Sequence, residues 1–255
     1  MVAATLLVAL LIALSLLAAT AAAYAVGRRQ RGDAGTEPLH AVGAVLAFLR
    51  EWLASLALLA AWPFHLRAEA GEPGSLRVAL FVPELHCSSA GFWYLRRRLR
   101  LGGWSSAAGV RRTGRGRAGA MAALDARIAA LPAGVELVLI GHGVGGLLAR
   151  DYAEARPGLR LRHVITLGAP HQGSRGLPYR VFGPPPVPPA ATGSGVDLIA
   201  IYSDFDAWLL PVDDAYCPGG FNIAVRGVGH CAMLLSPRVA DLIAENLAAA
   251  APPAS

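Results

Sequence analysis

The chain has no lysine among its 255 residues, so arginine alone supplies the cations behind its formal net charge of +6. We attribute this to a composition bias. It has only three cysteines, Cys87, Cys217 and Cys231, which are too few for a disulfide framework and leave at least one thiol unpaired. One Cys217–Cys231 bridge remains an option in an oxidising compartment. Cysteine and histidine show no metal-ligand spacing, so we expect no metal and no cofactor.

Charge is also absent from a long N-terminal stretch, Val2 to Val26, and Arg28, Arg29 and Arg31 follow at once. About 20 apolar residues suffice to cross a bilayer as a helix. The small residues 18–23 would also suit the cleavage site of a secretory signal, but signal peptides carry basic residues before their apolar core. We therefore favour an uncleaved membrane anchor at residues 1–27, with a cleaved signal as the alternative.

A second apolar block, residues 41–64, lies within a linker of residues 28–75 and is interrupted by Arg50-Glu51. A charge at the bilayer centre costs about 2.5–3.5 kcal/mol on insertion scales. The block is thus either a poor second span or a helix at the membrane interface with its charges outward. Two spans would place the following domain outside, in a periplasm-like space, which we slightly favour. One span would leave it in the cytoplasm.

Residues 76–251 show the alternation of an α/β domain, with a mostly parallel sheet and helices on both faces. Predicted strands cover 76–82, 135–140, 161–167, 196–202 and 221–226, and predicted helices cover 91–101, 118–131, 146–155 and 237–249. The proline run 184–189 makes 174–195 loop-like. In such sheets, ligand sites lie at the carboxyl ends of the strands.

A tight strand-to-helix turn is predicted at Gly141-His142-Gly143-Val144-Gly145. It has the form of the G-x-S-x-G nucleophile elbow, which holds its central side chain up for attack. Here the centre is Gly143, which has no side chain.

Several ordered motifs accompany this turn. They are the turn 168–173, the acid-like segment 201–211, and Gly229-His230 before the last helix. Together they resemble the lipase/esterase branch of the α/β-hydrolase family, in which nucleophile, acid and histidine follow one another in this order. The resemblance implies that Gly143 stands at the nucleophile position.

The resemblance also implies roles for Asp206 and His230. A serine hydroxyl needs a histidine to take its proton, and a carboxylate must hold that imidazole in the right tautomer. Asp204 is the fallback acid. Taken singly, each of these residues would be interpreted as a surface aspartate or a loop histidine.

The oxyanion loop departs from the family as well. The family usually has His-Gly after its first strand, and this chain has Pro83-Glu84. Proline offers no N–H, and a carboxylate opposes a developing oxyanion. The other donor, the backbone N–H of Val144, should survive.

These departures favour a membrane-anchored pseudo-hydrolase that binds an acyl or lipid-like ligand or a partner. The alternative is an active carboxylic ester hydrolase that uses His230 and Asp206 with an unrecognised nucleophile or an activated water. Cys87, Ser88, Ser89 and Cys231 are the nearby candidates for a substitute nucleophile, and ordinary loop roles are the simpler interpretation.

Eight arginines lie between Arg96 and Arg117 without an acid among them. A solvated helix face is the plainest interpretation. Contact with anionic lipid head groups is the next, because an anchor precedes the domain. We expect no nucleic acid.

Overall fold

A single six-stranded sheet forms the centre of the computed structural model, and all of its strand pairs are parallel. The structure describes residues 13–15, 17–22, 24–25, 40–64, 76–84, 87–106, 116–156, 161–176 and 196–249. The strand order is β2-β1-β3-β4-β5-β6. The strands are β1 (Arg77–Val82), β2 (Ser105–Ser106), β3 (Glu136–His142), β4 (Leu161–Leu167), β5 (Asp197–Ser203) and β6 (Phe221–Val225).

Helices cover both faces of this sheet. They are α1 (Ala41–Ala61), α2 (Trp93–Leu101), α3 (Gly116–Ala129), α4 (Val144–Ala155) and α5 (Pro237–Ala249). One buried cluster joins the sheet to α2 and α5 through residues such as Leu95 and Ile243. A second cluster joins the opposite face to α3 and α4 through Leu124 and Tyr152. The predicted fold class, a mostly parallel sheet between helices, is confirmed.

Most predicted elements within the described ranges are present to within about two residues. β2 was missed because two serines carry no apolar alternation, yet they extend the sheet beside β1. Three short 3₁₀ helices were also missed: Ser89–Phe92, Val212–Ala215 and Cys231–Leu235. The proline run 184–189 lies outside the described residues.

Helix α1 packs on the domain and is not independent of it. Its buried residues are Ala47, Glu51 and Ala54, and it contacts the 3₁₀ helices 89–92 and 231–235. The expectation that both charges of the block point outward is wrong for Glu51, which is 4% exposed. Its carboxylate accepts hydrogen bonds from the backbone N–H groups of Cys231 and Ala232 at 2.9 and 2.8 Å. Arg50 is exposed, as expected.

The opposite face of α1 is apolar and exposed at Val42, Val45, Leu46, Leu49 and Leu53. By length and composition α1 suffices to cross a membrane, which is a weak indication by itself.

Parts of the N-terminal apolar stretch also contact α1 and the domain. The Trp52 indole donates to the Ala13 carbonyl at 3.2 Å, and the Tyr24 hydroxyl donates to the Phe205 carbonyl at 2.9 Å. The Tyr24 ring also contacts the Phe48 ring edge-on. The arginines that follow this stretch lie outside the described residues.

The three cysteines are free thiols, so the Cys217–Cys231 bridge considered above is not formed. Of the predicted arginine cluster, the structure describes Arg96, Arg97, Arg98, Arg100 and Arg117. Arg96 is buried, and Arg98 and Arg117 form ion pairs with Asp241 and Asp151. Arg111, Arg112 and Arg115 lie outside the part of the chain that the structure describes.

Candidate active site

The candidate site lies at the carboxyl ends of β1, β3, β4 and β5. At its centre the chain turns from β3 into α4 through Gly143, whose φ of 54° and ψ of −126° lie where an L side chain is strained. The turn also passes close to β1: a Cβ at Gly145 would collide with the carbonyls of Val82 and Pro83. The glycines thus allow a tight strand-to-helix turn whose central residue carries no side chain.

Asp206 and His230 meet behind this turn. Asp206 Oδ2 lies 2.8 Å from His230 Nδ1, and both residues are buried. The other carboxylate oxygen accepts from the Trp208 N–H at 2.8 Å and from the Leu209 N–H at 3.3 Å. The Trp208 indole stacks on the imidazole at 4.6 Å with an interplanar angle of 6°. The imidazole is therefore fixed in position, with its Nδ1–H donated to the carboxylate.

The fallback acid Asp204 lies elsewhere. It accepts a hydrogen bond from the Gly227 N–H at 3.0 Å and faces Arg226 at 3.6 Å. Asp206, and not Asp204, is the carboxylate that orients His230.

Glu84 occupies the space above Gly143. A Cβ built on Gly143 would overlap the carboxylate of Glu84. Glu84 Oε2 accepts a hydrogen bond from the Val144 N–H at 2.9 Å and lies 3.7 Å from His230 Nε2. The sequence placed Glu84 near the oxyanion position and Val144 as the surviving donor. The structure shows that the Val144 N–H already donates its hydrogen bond to the Glu84 carboxylate.

Two carboxylates set the charge state of His230. Burial alone lowers the pKa of His230, but the carboxylates of Asp206 and Glu84 on either side overcome it and raise the pKa to about 10. The imidazole is thus protonated at neutral pH, and a protonated histidine cannot act as a general base.

His142 forms the floor of the site beside His230. Its Nε2 lies 3.1 Å from the backbone carbonyl of His230, to which it must donate, and the two ring centroids are 4.3 Å apart. Burial, and next the positive charge of His230, lowers the pKa of His142 to about 4. His142 is therefore neutral. Its Nδ1 has no hydrogen-bond partner among the described residues.

The turn after β4 supports the site from below. At Gly168 a Cβ would press against Asp206 Oδ2 at 2.9 Å and His230 Nδ1 at 3.1 Å. His171 in the same turn lies within hydrogen-bond distance of Thr166 Oγ1 and Arg150, which ties the turn to β4 and α4. This motif has a structural role.

A cavity of about 430 Å³ opens on the site. Helix α1 forms one wall, and Glu84, His142 and His230 lie on the other side. The cavity is lined by apolar residues, among them Leu58, Leu59, Trp62 and Leu234, and by Glu84, His142 and His230. The part of α1 in this wall was predicted only as a membrane-associated segment, because nothing in its sequence indicates a contact with the histidine turn.

The other candidate nucleophiles lie around the cavity. Cys87, Ser88 and Cys231 line it. Ser88 Oγ donates to the Phe64 carbonyl and accepts from the Ala90 N–H, which caps the 3₁₀ helix 89–92. These contacts give Ser88 a structural role.

No family profile and no curated protein sequence matches the chain. Solved structures do. A serine hydrolase involved in carbazole degradation superposes with a TM-score of 0.55 at 14% identity, over 72% of this chain and 94% of that one. Polyneuridine aldehyde esterase gives 0.52 at 13%, over 68% and 99%. A carboxylesterase of the thaumarchaeon Nitrososphaera gargenis gives 0.50 at 13%, over 73% and 98%. At these identities the likeness concerns the fold, and the chain has the α/β-hydrolase fold.

Proposed function

We propose that this chain is a lipase/esterase-like pseudo-hydrolase, in which Gly143 replaces the nucleophile and an acyl or lipid-like ligand binds in the cavity. The single observation that carries the proposal is the position of Glu84. Its carboxylate lies where the elbow side chain of a serine hydrolase would project, and it accepts the hydrogen bond from Val144 N–H.

Three parts of serine-hydrolase chemistry are then missing at once. Glycine offers no nucleophile, the remaining oxyanion donor already holds a carboxylate, and His230 carries a proton. A substrate carbonyl would have to approach a negatively charged group where an enzyme presents donors. Binding without turnover is the activity that this geometry favours.

The cavity supports an apolar ligand. Its volume of about 430 Å³ lies within the usual range for small-molecule sites. Apolar side chains of α1 and of the 3₁₀ helix 231–235 line it together with Glu84, His142 and His230. This arrangement suits a molecule with an apolar chain and one polar end.

The test of ligand binding is titration of the purified protein with a fluorescent fatty alcohol, whose neutral polar end is not repelled by the Glu84 carboxylate. Leu58→Trp should fill the cavity and weaken binding at least about tenfold, because a ligand cannot share packed space with an indole. Leu53→Trp lies on the exposed face of the same helix and should leave the affinity unchanged. Equal affinity in both variants would place the ligand elsewhere.

A second candidate function is ester hydrolysis by an activated water. It is favoured by the intact Asp206–His230 pair at 2.8 Å beside a cavity. p-Nitrophenyl butyrate distinguishes the two functions. The pseudo-hydrolase gives no turnover above the rate of a His230→Ala variant. Turnover that this substitution abolishes would establish the hydrolase instead.

We further propose that the chain is membrane-anchored through its N-terminal apolar segment and that α1 lies at the bilayer surface. The apolar row from Val42 to Leu53 faces away from the domain, while Glu51 is hydrogen-bonded inside it. If α1 left the domain to span the membrane, Glu51 would lose its two hydrogen bonds. Two buried N–H groups would then be unpaired, at a cost of about 1–3 kcal/mol each. Protease protection of a C-terminal tag in spheroplasts would test the side of the membrane, for which the periplasm is our slight preference.

A further inference from the structure

Three buried side chains from different parts of the chain converge beside the turn at Gly143. Glu84 follows β1, His142 ends β3, and His230 precedes the 231–235 turn. Each offers one possible ligand atom, and these atoms all lie within 4.8 Å of one another. All three residues are at most 2% exposed.

The hydrogen bonds of the two histidines determine which ring nitrogen remains available as a ligand atom. His142 donates its Nε2–H to the His230 carbonyl, and His230 donates its Nδ1–H to Asp206. The remaining ring nitrogens, His142 Nδ1 and His230 Nε2, are buried and have no hydrogen-bond partner within the described ranges. Metal-binding histidines are held in the same way, with one nitrogen donated to a carbonyl or carboxylate and the other free to ligate.

We propose that Glu84, His142 and His230 bind a divalent transition-metal ion, of which Zn²⁺ is the best match. Two imidazoles and one carboxylate suit Zn²⁺, whereas Mg²⁺ and Ca²⁺ prefer oxygen ligands alone. Three protein ligands leave a fourth position open toward the cavity. There a water or the polar end of the ligand would complete the coordination.

The distances require only a small closure. Ligands of a tetrahedral zinc, at bonds of about 2.0–2.1 Å, lie about 3.3 Å from one another. Glu84 Oε2 and His230 Nε2 are already 3.7 Å apart. The widest pair, within 4.8 Å, must close by about 1.5 Å at most.

The electrostatics of the cluster also favour a cation. The carboxylates of Asp206 and Glu84 lie on either side of His230, at 2.8 and 3.7 Å. In the metal-free protein a proton on the imidazole balances them. A divalent ion at His230 Nε2 would take over that role.

This inference rests on the proposed loss of the serine nucleophile. Any side chain at position 143 would overlap the carboxylate of Glu84. The glycine is therefore what allows Glu84 to reach the two histidines.

The test is zinc binding to the full-length protein, purified without a histidine tag and stripped with a chelator. Calorimetric titration with ZnCl₂ should give one ion per chain. Glu84→Gln and His142→Asn should each weaken binding by more than about tenfold. His163→Asn, a buried histidine of β4 outside the cluster, is the matched control and should bind like the wild type. A Cys87→Ser/Cys231→Ser background removes the thiols that line the cavity.

Binding of less than about 0.1 ion per chain would overturn the proposal, and so would equal affinity in the ligand variants. If those variants fail to fold, cobalt decides the question on the wild type. Co²⁺ should give the visible absorption of a four-coordinate nitrogen–oxygen site without a thiolate band, and its absence would reject the site.

The two proposals can fail separately. Fatty-alcohol binding without zinc binding would remove the metal site and leave the pseudo-hydrolase. Zinc binding together with zinc-dependent ester hydrolysis would keep the metal site and replace the pseudo-hydrolase by the active hydrolase.

Discussion

At the scale of single residues, Gly143 and Glu84 depend on each other. The glycine leaves room for the carboxylate, and the carboxylate accepts the hydrogen bond of the Val144 N–H. Each substitution alone resembles a chance loss of a motif residue. Their contact means that the two residues share one space, which Glu84 can occupy only because Gly143 has no side chain.

The first residue-scale prediction concerns stability. Gly143→Ala should destabilise the protein by about 3 kcal/mol or more, because the new methyl group adds overlap with Glu84 to an unfavourable φ. Gly134→Ala is the control, since Gly134 also has a positive φ but nothing within 4 Å of a Cβ. It should cost about 1 kcal/mol. Equal losses in urea denaturation would show that Glu84 does not occupy the elbow.

The second concerns pH, measured on protein kept metal-free with a chelator. The folded pKa of His230 is raised to about 10 from a usual value of about 6.5. A raised pKa stabilises the fold fully below about pH 6.5, and this contribution is lost as pH rises through about 10. The midpoint temperature of thermal unfolding should therefore fall as the pH rises through this window. Glu84→Gln should flatten the dependence, because it removes one of the two carboxylates, and an unchanged slope would argue against the 3.7 Å ion pair.

At the scale of elements, hydrogen bonds join α1 to the 3₁₀ helix 231–235. The Glu51 carboxylate holds the N–H groups at the start of that 3₁₀ helix, directly after His230. Burial raises the pKa of Glu51, while the two backbone hydrogen bonds oppose the rise. An apolar helix with one buried acid thus positions the histidine from outside the sheet.

Glu51→Ala should destabilise the domain by about 3 kcal/mol, since it leaves two buried donors unpaired. Arg50→Ala is the neighbouring control and should change stability by less than about 0.5 kcal/mol. Denaturant unfolding measures both. Equal effects would mean that α1 contributes only its apolar contacts.

The same element shows a limit of sequence-based prediction. The sequence predicts either a poor second span or an interfacial helix with Arg50 and Glu51 both outward, because the surrounding residues are apolar throughout. Only the fold reveals that Arg50 is exposed while Glu51 is buried, and that a helix preceding the domain covers the cleft. Burial of Glu51 depends on partners about 180 residues further along the chain, and local periodicity carries no information on such a partner.

At the scale of the molecule, the fold was more predictable than the site. Alternating apolar runs and helices determine a parallel sheet, and the carboxyl ends of parallel strands lie at one edge, so the meeting of Asp206 and His230 follows from the order of motifs. The approach of Glu84 to Gly143 does not. It depends on the direction of the Glu84 side chain in the loop after β1. It also depends on the space at Gly143, which any larger residue would fill.

Hydrolysis of p-nitrophenyl butyrate by a Glu84→Gly/Gly143→Ser double variant tests the central claim most directly. The claim is that Glu84 fills the space of a lost nucleophilic serine at position 143, and that the Asp206–His230 pair is otherwise intact. Gly143→Ser alone should stay inactive because the serine and Glu84 compete for one space. The double variant should gain turnover of at least about 100-fold over the wild type, and His230→Ala should abolish it. Activity in Gly143→Ser alone, or none in a folded double variant, would contradict the account.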